Sequence, residues 1–480
     1  MSQIILFYPL TGLDVKEVTV FPPMALMALA SSVTDRYSVR IIDQRFCRDW
    51  KREIRNEIGP ETLCFGVSTM TGTQIRHASD AARFVRRINK DIPIVWGGVH
   101  PTLMPEQTAA DPLVDVAVAG AGEKPFRSLV DCLAEKNPWT SIPQLAFKQG
   151  GAVRYLRDDA RSGDVSHFSY ESVDVEKYVY GSLLFGRRVR ALPFISSVGC
   201  PHECAFCCQP MLSGRKWIRL SPVETYERVI RLVDRYKLEA VLFDDDEFFV
   251  NADRGMEIAR LINGQFEWYV QTRMDDLSRV DLGELERCGL RVVQPGLETG
   301  SPRILELLKK KETVELYKTV NRRLAQTSIQ AIYNFMMGFP GESIDELTAT
   351  VDLALELMAE NPRSRIAGFY VYVPYPGAAL YDLAVQQGFQ PPRSLGGWSA
   401  FSREHRATPW IQENKDLYET LFITSKFIDQ TRLHALSEGK PFVRTVFNWL
   451  NDRYTQSWRS HSYEKTWDVR LLSALYRLNV

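Results

Sequence analysis

The sequence predicts an α/β chain: a Rossmann-like, doubly wound parallel sheet, then a partial (β/α)6 barrel, then a mainly helical end. Three observations predict it. Short β-rich runs alternate with amphipathic stretches between residues 4 and 120, a second alternation runs between 192 and 373, and after Pro391 the strand pattern stops.

In the first alternation the strands fall at 4–8, 39–43, 64–69, 92–98 and 115–120, with amphipathic segments such as 73–89 between them. They read as a five-stranded parallel sheet. Each ends at a turn-prone or polar residue (Pro9, Asp43, Ser68, Gly97, Gly120), and open α/β sheets bind ligands at those carboxyl ends. From Asn137 to Arg187 periodicity fails around a Pro-Trp pair, Gly150-Gly151 and the charged run 157–164, so this stretch reads as a connector. Barrel strands follow at 192–198, 240–243, 268–272, 292–297, 331–337 and 366–373, with an active site expected at their carboxyl ends. The expected boundaries are 1–140, a connector over 141–186, the barrel over 187–391 and a helical domain over 392–480. Five of the ten tryptophans (Trp398, Trp410, Trp449, Trp458, Trp467) fall in that last part and read as packing anchors.

At 480 residues the chain suits two or three domains. Its 59 Lys+Arg balance 59 Asp+Glu, so no net field draws it to nucleic acid or acidic lipid, and a small-molecule or peptide substrate is the default. The N-terminus has no basic region or small-residue cleavage site, and no stretch reaches the ~18 apolar residues of a membrane span. A cytoplasmic location is expected.

Of eight cysteines, Cys47, Cys64, Cys132 and Cys288 are scattered and read as small buried hydrophobes. Cys200, Cys204 and Cys207 form C-x3-C-x2-C in a loop after an apolar strand, with Cys208 adjacent. Three thiolates on one loop can take three corners of a 4Fe-4S cubane, leaving one iron open for a substrate. Zinc would call for a second Cys pair or histidines, and only His202 is near. A disulfide conflicts with the absent secretory signal, and an electron-transfer cluster using Cys208 as fourth ligand conflicts with adjacent side chains diverging along an extended chain.

The loop resembles the radical SAM signature C-x3-C-x-φ-C, with Phe206 as the aromatic. The resemblance implies a 4Fe-4S cluster on Cys200, Cys204 and Cys207 whose open iron binds S-adenosylmethionine (SAM), cleaved reductively to a 5'-deoxyadenosyl radical. It extends along the barrel. Phe206 resembles the aromatic that in the family lies beside the adenine; Asp244-Asp245-Asp246 stands where many members have Gly-Gly-Glu, with Asp245 taken as the SAM contact; Gln271 and Arg273 resemble the Q-x-R ending strand three. Arg273 suits a carboxylate, and an ion pair with Asp275 or Asp276 is its alternative. Glu298, in a segment resembling G-x-E-x-G-S, implies a cofactor contact, and capping the helix near Ser301 is the alternative. Gly338, in Met-Met-Gly-Phe-Pro-Gly-Glu, resembles the loop under the adenine, and Pro374-Tyr-Pro-Gly377 resembles P-x-P-G-T with alanine for threonine.

Three further segments resemble cobalamin-binding domains that precede such barrels: Phe21-Pro-Pro-Met-Ala-Leu26, Trp96-Gly-Gly-Val-His-Pro-Thr102 and Gly120-Ala-Gly-Glu123. The implied cobalamin residues are Ser68, Thr69, Met70, Thr71, Gly72, Gly97, Gly98, His100, Pro101, Thr102, Gly120, Gly122 and Glu123. No Asp-x-His occurs to ligate cobalt, and bracing its loop is the alternative role for His100. The resemblance implies a cobalamin-dependent radical SAM enzyme, with C-methylation of a small molecule or peptide first, radical oxidation or cyclisation second and a non-catalytic Fe-S redox protein third. It also implies a low-potential electron donor of flavodoxin or ferredoxin type.

Overall fold

Ile4, Ile5, Leu6 and Phe7 form a run apolar on both faces, and such a strand is stable only between two covering layers. In the computed structural model, which describes residues 3–12, 14, 20–158, 165, 168–182, 184–401, 408–429, 433, 437 and 439–478, this run lies in β1 (Gln3–Tyr8), and all four residues are fully buried. The chain divides into two compact units, the first comprising Met1–Tyr178, Cys208–Ile218 and Gln390–His405 and the second Val179–Cys207, Arg219–Phe389 and Arg406–Val480.

In the first unit β1, β2 (Ser38–Asp43), β3 (Thr62–Ser68), β4 (Ile94–Gly97) and β5 (Val116–Val118) pair in parallel in the order β2-β1-β3-β4-β5. That order puts a topological switch point between β1 and β3, where a crevice opens at the carboxyl ends. Leu26, Phe126, Leu129 and Val130 from two helices cover one face of Ile4, Leu6 and Val95.

The sheet is larger than the five strands the sequence predicts. The stretch read as a connector contributes β6 (Leu145–Gln149) and β7 (Ala152–Tyr155), an antiparallel hairpin turning at Gly150 (φ 61°) and Gly151 (φ 80°) that extends the sheet to seven strands. The two glycines that read as loop are a hairpin turn, for which positive φ is the requirement. Of the charged run 157–164, residues 159–164 lie outside the described residues. Gln390–His405, expected with the helical end from residue 392 on, groups with this unit: Trp398 is fully buried and donates from Nε1 to Gln107 Oε1 (2.6 Å), while Gln107 Nε2 donates to Pro392 O (3.1 Å).

The second unit begins with β8 (Tyr180–Ser182) and β9 (Val189–Phe194), and the predicted strand 192–198 breaks after Phe194. After the two-residue strands β10 (Ser197–Val198) and β11 (Ile218–Arg219) come β12 (Ala240–Phe243), β13 (Glu267–Thr272), β14 (Leu290–Glu298), β15 (Gln330–Met337) and β16 (Arg365–Val371). The sheet order is β16-β15-β14-β13-β12-β9-β8; β9 and β12 to β16 run parallel and β8 is an antiparallel edge. Capping boxes Ser221/Glu224 and Ser343/Glu346 start two of the crossover helices.

Trp458 fulfils the anchor expectation: it is fully buried, donates to Thr424 Oγ1 (2.9 Å) and packs on Phe369. Trp449 and Trp467 do not, being 49% and 70% exposed. No described helix is long and apolar enough to cross a membrane.

Candidate active site

The cysteine loop leaves the barrel just after β9 and is pinned from two sides. Ala205, buried, donates its N–H to Leu308 O and accepts from Leu380 N, both at 2.8 Å, which fixes the backbone between Cys204 and Phe206. Two of the three aspartates after β12 brace the loop's start. Asp245 accepts from Ser196 N, Ser196 Oγ and Ser197 Oγ at 2.6 Å each, and Asp246 accepts from Gly199 N at 2.7 Å. Asp245 is fully buried, and its carboxylate is spent on the scaffold.

Cys200, Cys204 and Cys207 are half-buried thiols outside any disulfide, and Arg273 NH1 donates to Cys204 Sγ at 3.5 Å. Among the described residues no three Cys, His, Asp or Glu converge at the spacing of a single metal ion. A cubane offers each thiolate its own iron, so its ligands do not share one ion. The donor set fits a cluster: thiols alone, on a fixed loop, with the Arg273 cation against one sulfur.

Arg273 is not a free fork. Nε and NH2 grip Asp275 at 2.8 and 3.1 Å, and NH2 also donates to Lys310 O at 2.6 Å, so the alternative ion-pair reading is the observed one. Glu298 does not cap the following helix either, since Ser301 does so itself by accepting from Ile304 N. Glu298 stands at φ 69° with Oε1 3.2 Å from Lys310 Nζ, and Lys310 Nζ is also 3.6 Å from Glu312 Oε2. Gly296 makes this possible, because a Cβ there would lie 2.2 Å from Glu298 Oε1. Lys310, 4% exposed, is the functional candidate that sequence reasoning missed. Burial pulls its pKa down, and Glu298 and Glu312 more than reverse that, leaving it above the usual lysine value.

Gln271 Nε2 donates to Asp244 Oδ1 (3.0 Å). Phe206 meets Phe339 edge-on with centroids 6.4 Å apart. Gly338 (φ 76°) gives its carbonyl to Trp410 Nε1 (2.9 Å) and its N–H to Glu342 Oε2 (2.5 Å), so that loop is tied to the C-terminal helices.

In the first unit the structure brings the predicted cobalamin residues to one edge, at the ends of β3, β4 and β5. Thr69 N donates to Gly97 O, His100 N to Thr69 O, Thr102 Oγ1 to Gly98 O and Gly120 N to Thr102 Oγ1, all between 2.7 and 3.0 Å. Gly98 (φ 96°) has no room for a side chain, since a Cβ would lie 2.8 Å from Ser68 Oγ and Thr69 N. His100 is fully buried, its Nδ1 3.0 Å from Thr71 Oγ1 and its ring packed on Trp398; burial pushes it down to about 4, so it braces the crest as a neutral ring. Thr69 Oγ1 and His100 Nε2 are buried without partners, and Met70 stands out at 42% exposure with its N–H held by Gln74 Oε1. Orphaned polar atoms beneath an exposed apolar tip fit a broad ring with an amide-bearing rim, as in cobalamin.

These features define a radical SAM protein with an N-terminal B12-binding domain. The Radical SAM superfamily matches residues 194–354 and the B12 binding domain matches residues 13–130. More particularly, the chain combines these two domains, and with them a 4Fe-4S cluster, SAM and cobalamin as its cofactor set. It is 29% identical over 401 residues to an uncharacterized methyltransferase of Pyrococcus horikoshii, covering 80% of this chain and 83% of that one. It is 25% identical to the anaerobic magnesium-protoporphyrin IX monomethyl ester cyclase of Rubrivivax gelatinosus, over 74% and 63% of the two chains. Its fold is that of the radical SAM methyltransferase TsrM from Kitasatospora setae, solved with tryptophan substrate and a SAM analogue (TM-score 0.65, 19% identity, 82% and 78% covered).

Proposed function

We propose that this chain methylates an unactivated carbon of a small-molecule or peptide substrate. The observation that carries the reading is a pinned three-thiol loop on an open parallel barrel, in a chain whose doubly wound domain presents a braced, glycine-bearing crest at its switch-point edge. When bound, the cluster supplies the electron for sulfonium cleavage and cobalamin carries the methyl group; the protein's share is position and exclusion of water.

In this reading Cys200, Cys204 and Cys207 each hold an iron, and Arg273 steadies the Cys204 thiolate. Glu298, held by Lys310, and Gln271 line the polar end of SAM, with the backbone at Asp245. Phe206 and the Gly338 loop flank the adenine. Ser68 to Gly72, Gly97, Gly98, His100 to Thr102, Gly120, Gly122 and Glu123 form the cobalamin crest, His100 acting through the loop it braces. Eight cysteines, none of them in a disulfide, fit a reducing compartment, so we place the enzyme in the cytoplasm with a low-potential flavodoxin or ferredoxin as donor.

The test is anaerobic reconstitution with iron, sulfide and cobalamin, then incubation with methyl-labelled SAM, reductant and a metabolite extract. Release of 5'-deoxyadenosine together with label in an extract component is expected. Label transfer that does not need 5'-deoxyadenosine, or neither product, refutes the reading. The cyclase relative motivates a second reading, radical oxidation without methyl transfer, whose mark is 5'-deoxyadenosine with unlabelled product.

A further inference from the structure

Residues alternate sides along a strand, so one face of the barrel sheet can be followed from strand to strand. On one face Val270, Val293, Phe335 and Phe369 are fully buried or nearly so. On the other, Gln271, Gln294, Asn334, Met336 and Tyr370 keep partial exposure, which makes it the lining of the barrel interior. That lining is polar and linked. Tyr269 Oη donates to Gln294 Oε1 (2.8 Å), Gln294 Nε2 donates to Asn334 Oδ1 (3.1 Å), and beside them Gln271 Nε2 donates to Asp244 Oδ1 (3.0 Å).

Asp244 differs from its two neighbours. Asp245 is saturated by three donors and faces buried Arg254, and Asp246 is bound to the Gly199 N–H. Asp244 turns inward. Its hydrogen-bond partner is a neutral amide, and the charges acting on it are those of Asp246 and Asp245. Two cations beside Cys204 are engaged elsewhere, Arg273 with Asp275 and Lys310 with Glu298. A carboxylate enclosed among carboxylates is a costly arrangement for a scaffold alone, and natural folds concentrate such costs at sites that meet a ligand. Burial, with Asp246 and Asp245, pushes this carboxyl up to about 7, in keeping with an absent positive charge.

We propose that Asp244 is a specificity-determining residue and that the substrate carries a protonated amine, which Asp244 receives in the barrel interior beside the Gln271 amide. The Tyr269-Gln294-Asn334 array hydrogen-bonds a neighbouring polar group of the same molecule. This rests on the reading of the barrel as a radical SAM active site and adds the chemical class of what enters it.

The experiment uses the full reconstituted chain and three probes of one size and different charge: benzylamine, benzyl alcohol and benzoate. Binding is followed by ligand-observed magnetic resonance in the presence of SAM. Benzylamine is expected to bind at least tenfold more tightly than the other two, Asp244→Asn to erase that preference, and Asp244→Glu to keep it. Three results overturn the proposal: benzoate or the alcohol matching the amine, an amine preference surviving in Asp244→Asn, or Asp244→Asn weakening SAM as much as benzylamine, which assigns the carboxylate to SAM's own ammonium. The probe ranking in the unmodified chain tests the idea even if the variants do not fold. Failure of the parent reading registers separately, as no 5'-deoxyadenosine from the unmodified enzyme.

Discussion

Replacing Lys310 with methionine removes one cation and little volume. In the folded chain its ammonium is shared by Glu298 at 3.2 Å and Glu312 at 3.6 Å, and all three side chains are below a tenth exposed. Methionine fills the space of the stem but leaves two buried carboxylates facing each other, with Arg273 3.8 Å from Glu312 as their remaining cation. Breaking a buried pair by deleting one partner costs about 3–5 kcal/mol, because the other charge stays desolvated. Against the ~5–15 kcal/mol stability of an ordinary domain that is a large fraction. Urea unfolding should show the loss, and SAM affinity should fall with it as Glu298 is released from its φ 69° position. The control is Lys310→Met combined with Glu298→Gln and Glu312→Gln. Removing the whole ionic group takes away the unpaired charge, so the triple variant should recover most of the stability while SAM binding stays weak. A single variant within ~0.5 kcal/mol of the unmodified protein, or a triple variant no better than the single, refutes the argument.

Cys204→Ala should abolish 5'-deoxyadenosine formation while the protein still carries cobalamin by its visible spectrum, because the cobalamin crest has its own core; retained cleavage contradicts the ligand assignment. Trp398→Ala removes a fully buried indole that bonds Gln107 and packs on His100; it should cost about 3–5 kcal/mol and reduce the cobalamin retained through gel filtration, and unchanged retention would show that the crest stands without it. Glu342, which burial pushes up from 4.5 to about 8, keeps its proton in the folded state where the unfolded chain would release it. Its contribution is therefore greatest below pH 4.5 and is lost as pH rises to about 8, so Glu342→Gln should flatten that part of the stability profile; an unaltered slope assigns it to other groups.

The parallel strands were legible because they are buried on both faces and read as unbroken apolar runs. The predicted strand 240–243 coincides with β12, and 268–272 and 331–337 fall within a residue of β13 and β15. The hairpin β6–β7 was not legible. Leu145, Ala146 and Phe147 make only a short apolar run, and β7 at the edge has Ala152 and Arg154 exposed, so neither carries a sustained period. The membership of Gln390–His405 in the first unit was hidden for a different reason: a Trp398–Gln107 hydrogen bond spans 291 positions and leaves no local pattern.

At the site, sequence located the loops and left open what individual side chains do there, and the physical reason is shared. A charged residue at a strand end must satisfy its own desolvation before it can serve a ligand, and nearby partners reach it first. Asp245 is consumed by Ser196 and Ser197, Arg273 by Asp275, and His100 by Thr71, although each sits where a motif places a ligand contact. Lys310 lies in a Lys-Lys-Lys run that sequence gives no reason to read as anything but a solvated face, yet Lys311 is 72% exposed and Lys310 4%, because only the latter meets Glu298 and Glu312 inside. Asp244 is the opposite case. No motif singled it out from its run, and it is the one of the three aspartates bonded to the amide of a barrel strand, while the other two hold the start of the cysteine loop.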